Sequence, residues 1–190
     1  RVLLISGAGF LGRHLACQMR ATTQVVVCDS TTRLQRAGLS GVESCAYEFG
    51  QDDPNHVECL PGDAAVILSW RGYPAAHESD PTGRLSRNLG HTIALVKHLA
   101  ESGVSQVLYA SSGGAVYGNA GRQPVPETAL PYPLGYYGIG KLTAEMIVRK
   151  ILDQHSKDYL ILRICNAYGA GQITDNLSVG FVARAIQAAN

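Results

Sequence analysis

No apolar run in the sequence approaches the ~20 residues that a membrane-spanning helix requires, so no membrane association is expected. Charge of one sign is also lacking. The formal net charge is +1, which gives no electrostatic footprint for nucleic acid or an acidic membrane surface. The five cysteines, Cys17, Cys28, Cys45, Cys59 and Cys165, include no C-x-x-C pair. They read as reduced thiols, Cys17 and Cys28 within core elements, and that usage points to the cytoplasm. The six histidines stand at no ligand-like spacing, so no metal is expected. Internal repeats and low-complexity tracts are absent, and so is a signal-peptide pattern. The chain opens at Arg1 directly beside a strand, which leads us to expect sequence upstream of it. What is present is 190 residues with 46% hydrophobic and 16% charged content, enough for one substantial core and unlike a disordered segment.

The pattern that organises the rest is Gly7-Ala8-Gly9-Phe10-Leu11-Gly12. An apolar run, residues 2–5, precedes it, and the helical stretch 13–19 follows. Strand, glycine turn and helix is the context in which G-x-G-x-x-G signals a dinucleotide site. Gly7 is expected to make the tight turn, Gly9 to let a pyrophosphate approach the backbone, and Gly12 to let the helix pack close. The diphosphate would lie on the free N–H groups of the helix start, around Phe10 and Leu11. A second apolar run, residues 25–28, ends in Asp29, roughly 20 residues on, where a ribose-binding carboxylate belongs. The plainer alternative is an ordinary glycine turn and a strand-end aspartate that caps the next segment. Asp29 favours NAD over NADP, because its charge would repel a 2′-phosphate; Arg33 close by argues the other way.

Short β-branched runs continue to alternate with helical stretches. Residues 45–49, 64–68, 104–110 and 159–163 read as further strands, and 88–101 and 137–152 as helices. In the first of these helices Leu89, Ile93, Val96, Leu99 and Ala100 form the expected apolar side. This order predicts an α/β fold, a doubly wound parallel sheet of the Rossmann kind. The stretches 70–87 and 118–135 are rich in Gly and Pro and read as long loops, which in such folds carry function. A helical run is expected over 179–189.

Tyr137 and Lys141 stand four positions apart at the start of a predicted helix, which places them on one face. An ammonium close to a phenol lowers the phenol's pKa and makes it a general base. A surface Tyr and Lys on an amphipathic helix is the plain alternative.

These residues carry a resemblance. Together with Ser111-Ser112-Gly113-Gly114-Ala115-Val116-Tyr117-Gly118 and Leu162-Arg163-Ile164-Cys165-Asn166-Ala167-Tyr168-Gly169, with Glu145 between, the sequence resembles the extended short-chain dehydrogenase/reductase family, most closely its nucleotide-sugar epimerases and dehydratases. The resemblance covers almost the whole chain. It implies NAD as cofactor, held by Gly7, Gly9, Phe10, Leu11, Gly12, Asp29, Leu68 and Lys141. It implies a catalytic set of Tyr137 as base, Lys141 on the nicotinamide ribose and Ser112 on the sugar hydroxyl, with Ser111 as the other candidate. Asn166 is implied in binding the diphosphate of a nucleoside-diphosphate sugar, and Asn88 in holding the structure. A homodimer through helices 88–101 and 137–152 is implied as well.

The sequence also departs from the family. The position that in many relatives bears a Ser or Thr on the sugar hydroxyl is Gly113. The Asp-Glu pair of the dehydratases is replaced by Gly114 and Ala115, which argues against elimination. Trp70 and Arg71 stand where a His-x-Ala-Ala form is usual, either to contact phosphate or substrate or to pack a loop. Relatives are longer, so residues 1–170 are expected to form the dinucleotide-binding domain and 171–190 only the start of a small C-terminal substrate domain. The reading is therefore an NAD-dependent 4-epimerase of a nucleoside-diphosphate sugar. A reductase of a keto-sugar or other carbonyl, and a dinucleotide-binding sensor without catalysis, are the rivals.

Overall fold

Val2, Leu3, Leu4 and Ile5 form β1 (Val2–Ile5), and the last three are fully buried, as an apolar run without alternation predicts for a strand covered on both faces. The computed structural model describes residues 1–119, 121, 124–172 and 181–189. From β1 the chain runs through α1 (Phe10–Met19), β2 (Val25–Asp29), α2 (Thr31–Ala37), β3 (Glu43–Ala46), a 3-10 turn (Pro54–His56), β4 (Ala64–Ile67), α3 (Pro74–Ser79) and α4 (Pro81–Glu101). It continues through β5 (Gln106–Ser112), α5 (Gly113–Val116), α6 (Tyr136–Gln154), β6 (Asp158–Ile164) and α7 (Phe181–Ala189).

The six strands pair in the order β3-β2-β1-β4-β5-β6, every pair parallel. This is the expected doubly wound sheet. Its winding reverses between β1 and β4, and ligands bind at the carboxyl ends of the strands beside such a reversal. The pleat divides β1 between two cores. Leu3 and Ile5 pack with Val107, Leu95 and Val148 in the core that also takes in α4 and α6. Leu4 packs with Ala16 and Val27 in the core under α1.

Several expectations are corrected. The third strand is Glu43–Ala46, earlier than the 45–49 read from its aromatics; Tyr47 and Phe49 are nonetheless buried, as plugs beyond the strand end. Helix α1 starts at Phe10, with Gly9 as its N-cap residue, three positions before the helix predicted at Arg13. The stretch 70–87 is mostly helix. Pro74 opens α3 and Pro81 opens α4, each within the first turn, where a proline's missing N–H costs nothing. Asp80 caps α4 by accepting a hydrogen bond from the Gly83 N–H at 3.1 Å. The buried side of α4 is Asn88, Thr92, Leu95, Val96, Leu99 and Ala100, and Ile93 faces out at 36% exposure. Cys28 is buried as predicted, but Cys17 is exposed on the outer side of α1; all five cysteines are free. The stretch 118–135 is irregular as expected among its described residues. Of the run 179–189, Val179 and Gly180 lie outside the described residues, and α7 begins at Phe181.

Candidate functional site

Beyond β1 the chain must reverse at once into α1. Ser6 takes the left-handed conformation at φ +58°, so the turning residue is Ser6 rather than Gly7. Gly7 is required for a different reason. A Cβ there would lie 2.6 Å from both the Cβ and the carbonyl oxygen of Leu4. A Cβ on Gly12 would lie 2.2 Å from the Gly7 oxygen, so α1 presses on the turn itself. Gly9 is unlike both. Its missing Cβ would meet only the Ser6 oxygen, at 3.8 Å, which leaves the backbone open to whatever occupies the adjoining space.

That space is a cavity of about 830 Å³ along the carboxyl ends of the strands. Gly9, Phe10, Leu11 and Gly12 line it, and the first N–H groups of a helix have no partner within the helix. Asp29, Leu68, Ser112, Tyr137, Lys141 and Asn166 line it too. Of the residues expected to hold cofactor or substrate or to act in catalysis, Gly7 alone stands back, beneath the turn. The Asp29 carboxylate is 5% exposed. Its Oδ2 accepts from the Ala8 N–H at 3.0 Å and its Oδ1 from the Ser30 N–H at 2.8 Å. Each oxygen keeps a lone pair for a ligand hydroxyl. Asp29 and Ser112 end β2 and β5, three strand spacings apart, or about 14 Å. One elongated ligand can therefore touch both. The open face of Gly9, the α1 start and the Asp29 carboxylate together fit a dinucleotide.

The two serines at the end of β5 separate by the pleat. Ser111, 6% exposed, donates its hydroxyl to Glu145 Oε1. Glu145, itself 3% exposed, takes a two-pronged ion pair from Arg163, with Nη2 to Oε2 at 2.8 Å and Nε to Oε1 at 3.1 Å. The carboxylate beside it pushes the Arg163 pKa up. Arg163 Nη1 also donates to the Tyr117 hydroxyl at 2.8 Å. Both serines line the cavity, but the Ser111 hydroxyl is engaged in the buried network and that of Ser112 is not. A side chain at Gly113 would lie 2.7 Å from the Arg163 carbonyl oxygen, against β6, so that position has no room for a hydroxyl residue. Gly114 and Ala115 line the cavity without any ionisable group.

Tyr137 sits in the first turn of α6, and burial pushes its phenol pKa up while the Ser112 hydroxyl pulls it down. Lys141, one turn on, is 3% exposed. Its Nζ donates to the Ala110 carbonyl at 2.8 Å and lies 4.6 Å from the Trp70 ring centroid and 5.1 Å from that of Tyr109. Burial lowers its pKa to about 7, against the attraction of Glu145. Burial thus disfavours the charged form of both groups in the protein alone, and for the phenol it outweighs the lowering expected from a neighbouring ammonium.

Of the Trp70–Arg71 alternatives, Arg71 packs the loop and lines the cavity as well. It is paired with Glu48, donates from Nε to the Phe49 carbonyl at 2.7 Å, and its N–H donates to Asn88 Oδ1 at 2.8 Å. Asn88 also donates from Nδ2 to the carbonyls of Arg71 and Arg84, both at 3.0 Å, and so ties the loop to α4. Trp70 instead faces Tyr137 and Lys141. Sequence reading missed His77, fully buried between Trp70 and Tyr137, because it lies in a stretch read as loop. The one available signal was Pro74, three residues before it, which opens a helix.

Residues 2–190 match the family model described as NAD dependent epimerase/dehydratase family. A putative UDP-glucose 4-epimerase of Methanocaldococcus jannaschii is 25% identical over 90% of the chain and 57% of its own length. A dTDP-4-dehydro-6-deoxyglucose reductase of Escherichia coli is 35% identical over 92% of the chain and 58% of its own. The crystal structure of the Thermus thermophilus UDP-glucose 4-epimerase in complex with NAD superposes with a TM-score of 0.84 at 26% identity, over 97% of the chain and 60% of that structure. The chain thus spans little more than half the length of the proteins it matches.

Proposed function

The chain belongs to the NAD dependent epimerase/dehydratase family, and from that premise we propose that it is the dinucleotide-binding part of an NAD-dependent 4-epimerase of nucleoside-diphosphate sugars. Residues 1–170 would form the cofactor domain and residues 171–190 the start of the region that holds the sugar. The observation that carries the reading is the convergence of Ser112, Tyr137 and Lys141 on the cavity that Gly9 and Asp29 enter from the other side of the sheet reversal.

Bound NAD would supply a hydride acceptor that takes up the C4 hydride and returns it to the other face of the sugar. Gly9, Phe10, Leu11 and Gly12 would hold its diphosphate, Asp29 a ribose, Leu68 would flank it, and Lys141 would hold the second ribose. The Tyr137 phenolate takes the proton of the sugar's C4 hydroxyl, and Ser112 donates a hydrogen bond to the same oxygen. With the hydride returned, Tyr137 would then give the proton back to the oxygen. Asn166 contacts the sugar nucleotide's diphosphate. The absence of an acid or base at Gly114 and Ala115 leaves nothing there to drive an elimination.

A second reading, reduction of a keto-sugar, is favoured by the 35% identity to the Escherichia coli reductase. Net turnover of free cofactor separates the two: a reductase consumes it, an epimerase does not. Ile93 at 36% exposure, Ile139 at 41% and Met146 at 67% leave apolar groups on the outer faces of α4 and α6, and we assign those faces to a homodimer. Among the described residues no helix is long and apolar enough to cross a membrane. The free thiols and the net charge of +1 support a cytoplasmic enzyme with no nucleic-acid partner.

The test is interconversion of C4-epimeric UDP-sugars by the full-length protein with bound NAD. Conversion without net reduction of cofactor is expected, and its absence with every hexose nucleotide tried would remove the reading.

A further inference from the structure

The ring of Trp70 contacts both Tyr137 and Lys141. Its face receives the Lys141 ammonium at 4.6 Å from the centroid. The Tyr137 ring meets it edge-on at 6.3 Å and 85°. It lies nearly parallel to the His77 ring, 5.9 Å away between centroids and inclined by 18°, and His77 meets Tyr137 edge-on at 5.4 Å. The indole Nε1 lies 3.2 Å from His77 Nε2. An indole N–H only donates, so Nε2 must accept and the imidazole proton must sit on Nδ1. The 3.1 Å contact of Nε2 with the Arg71 carbonyl is then not a hydrogen bond in this tautomer. Burial, with the cations Arg84 and Lys141 nearby, pushes the His77 pKa down and keeps it the neutral acceptor that Trp70 needs, against the opposing pull of Arg71 and Glu78. His77 is fully buried and its Nδ1 has no partner among the described residues, so it is held by ring packing and by the indole.

We propose that Trp70, clamped by His77, is a positioning residue of the Tyr137–Lys141 pair, holding the ammonium over its face and the phenol ring at its edge so that the lysine stays charged while the tyrosine works. The inference rests on the reading of Tyr137 as the base.

The reason such a device matters is the order of ionisation. A lysine that is neutral before the phenol ionises cannot stabilise a phenolate. The groups that face Lys141 are Glu145 from its own helix, Tyr109 and the Ala110 carbonyl from β5, Trp70, and the Tyr137 and His77 rings that meet Trp70. Glu145 is already engaged by Arg163 and Ser111, which draws part of its charge away from the lysine. The Trp70 face is thus an attraction for the ammonium besides Glu145 and the Ala110 carbonyl, and a ring face attracts a cation most when both are out of water. Trp serves this purpose better than Phe or Tyr.

The test compares the NAD-loaded full-length protein with its Trp70→Phe, His77→Leu and His77→Gln variants. The first readout is phenolate formation by ultraviolet difference absorbance, with Tyr137→Phe as the blank. The second is the acid limb of the kcat/KM pH profile. Trp70→Phe and His77→Leu are expected to move both upward by about half a unit to one unit. His77→Gln keeps an acceptor for the indole N–H and is expected to stay with the parent. Trp70 is the only tryptophan in the chain, so its emission checks that the ring is still in place in the His77 variants. A phenol titration in Trp70→Phe that coincides with the parent overturns the inference, and so does a His77→Gln shift as large as that of His77→Leu. If His77→Leu fails to fold, Trp70→Phe decides alone. The phenol titration needs no sugar substrate. A shift seen in a protein that converts no nucleotide sugar supports the inference and counts against the proposed function, and no shift in an active epimerase does the reverse.

Discussion

The backbone N–H of Ala8 donates to Asp29 Oδ2 at 3.0 Å, across 21 positions of sequence. The carboxylate read as the ribose partner is also the group that holds the glycine turn in place. Turn and ribose site are thus one unit, built where β1 and β2 lie side by side.

Replacing Asp29 should therefore lower NAD affinity by more than the loss of a ribose contact. Asp29→Ala leaves the Ala8 and Ser30 N–H groups without their acceptor, and each such loss costs about 1–3 kcal/mol. A fall of at least about tenfold in NAD affinity is expected by calorimetric titration. In the parent, NAD should bind more tightly than NADP; equal affinity for the two would show that Arg33 offsets the repulsion.

The serines should part company when each is changed to alanine. Ser112→Ala should lower kcat while leaving Tm close to the parent, since its hydroxyl faces the cavity and Tyr137. Ser111→Ala should lower Tm, because the buried Glu145 carboxylate loses the hydrogen bond that the Ser111 hydroxyl donates to it. The cost is about 1.5–3 kcal/mol, the usual worth of a hydrogen bond to a charged group. Thermal unfolding and initial rates on both variants check this. A reversed pattern would assign the catalytic hydroxyl to Ser111.

Lys141 should leave a pH signature on stability in the protein without cofactor. Its pKa falls from 10.5 to about 7 on folding, so between those values the unfolded chain binds more protons. Stability then rises with pH across that window, and below about 7 the full cost of burying the charge is present. Denaturant titrations between neutral pH and the onset of tyrosine ionisation should show this slope in the parent and lose it in Lys141→Met. An identical slope in both would mean that Lys141 keeps its proton throughout.

Much of this could be read from the sequence, and the misses share physical causes. The sheet was legible because both-face burial demands uninterrupted apolar runs such as residues 2–5 and 25–28. The residues that line the cavity were legible because a glycine turn, a strand-end acid and a Tyr–Lys pair at helical spacing, each common alone, occur here together and in order. Helix α4 was shortened because Pro81 and Gly83 read as breakers, whereas a proline in the first turn begins a helix and Gly83 supplies the N–H that Asp80 caps. The buried side of α4 was read rightly at Val96, Leu99 and Ala100, but it took in Ile93 and left out Thr92 because Thr92 is polar and Ile93 is not. Asn88 earns its burial through hydrogen bonds to a loop that only the fold brings near. Ser6 stayed unnoticed because its left-handed φ has no mark in residue type. The contact of His77 with Trp70 and Tyr137 joins α3, the loop after β4 and α6, and no local pattern announces it.

The central claim is that Tyr137 exchanges a proton with a sugar hydroxyl while the cofactor is restored within each turnover. The most direct measurement is the interconversion of C4-epimeric UDP-sugars by the full-length NAD-bound protein and by Tyr137→Phe, with free NADH followed in the same reaction. The account predicts conversion without net NADH change in the parent, and a loss of about 10²- to 10⁴-fold in Tyr137→Phe with NAD affinity retained. Conversion by Tyr137→Phe at more than about a tenth of the parent rate, or NADH consumed in step with product by the parent, would contradict it.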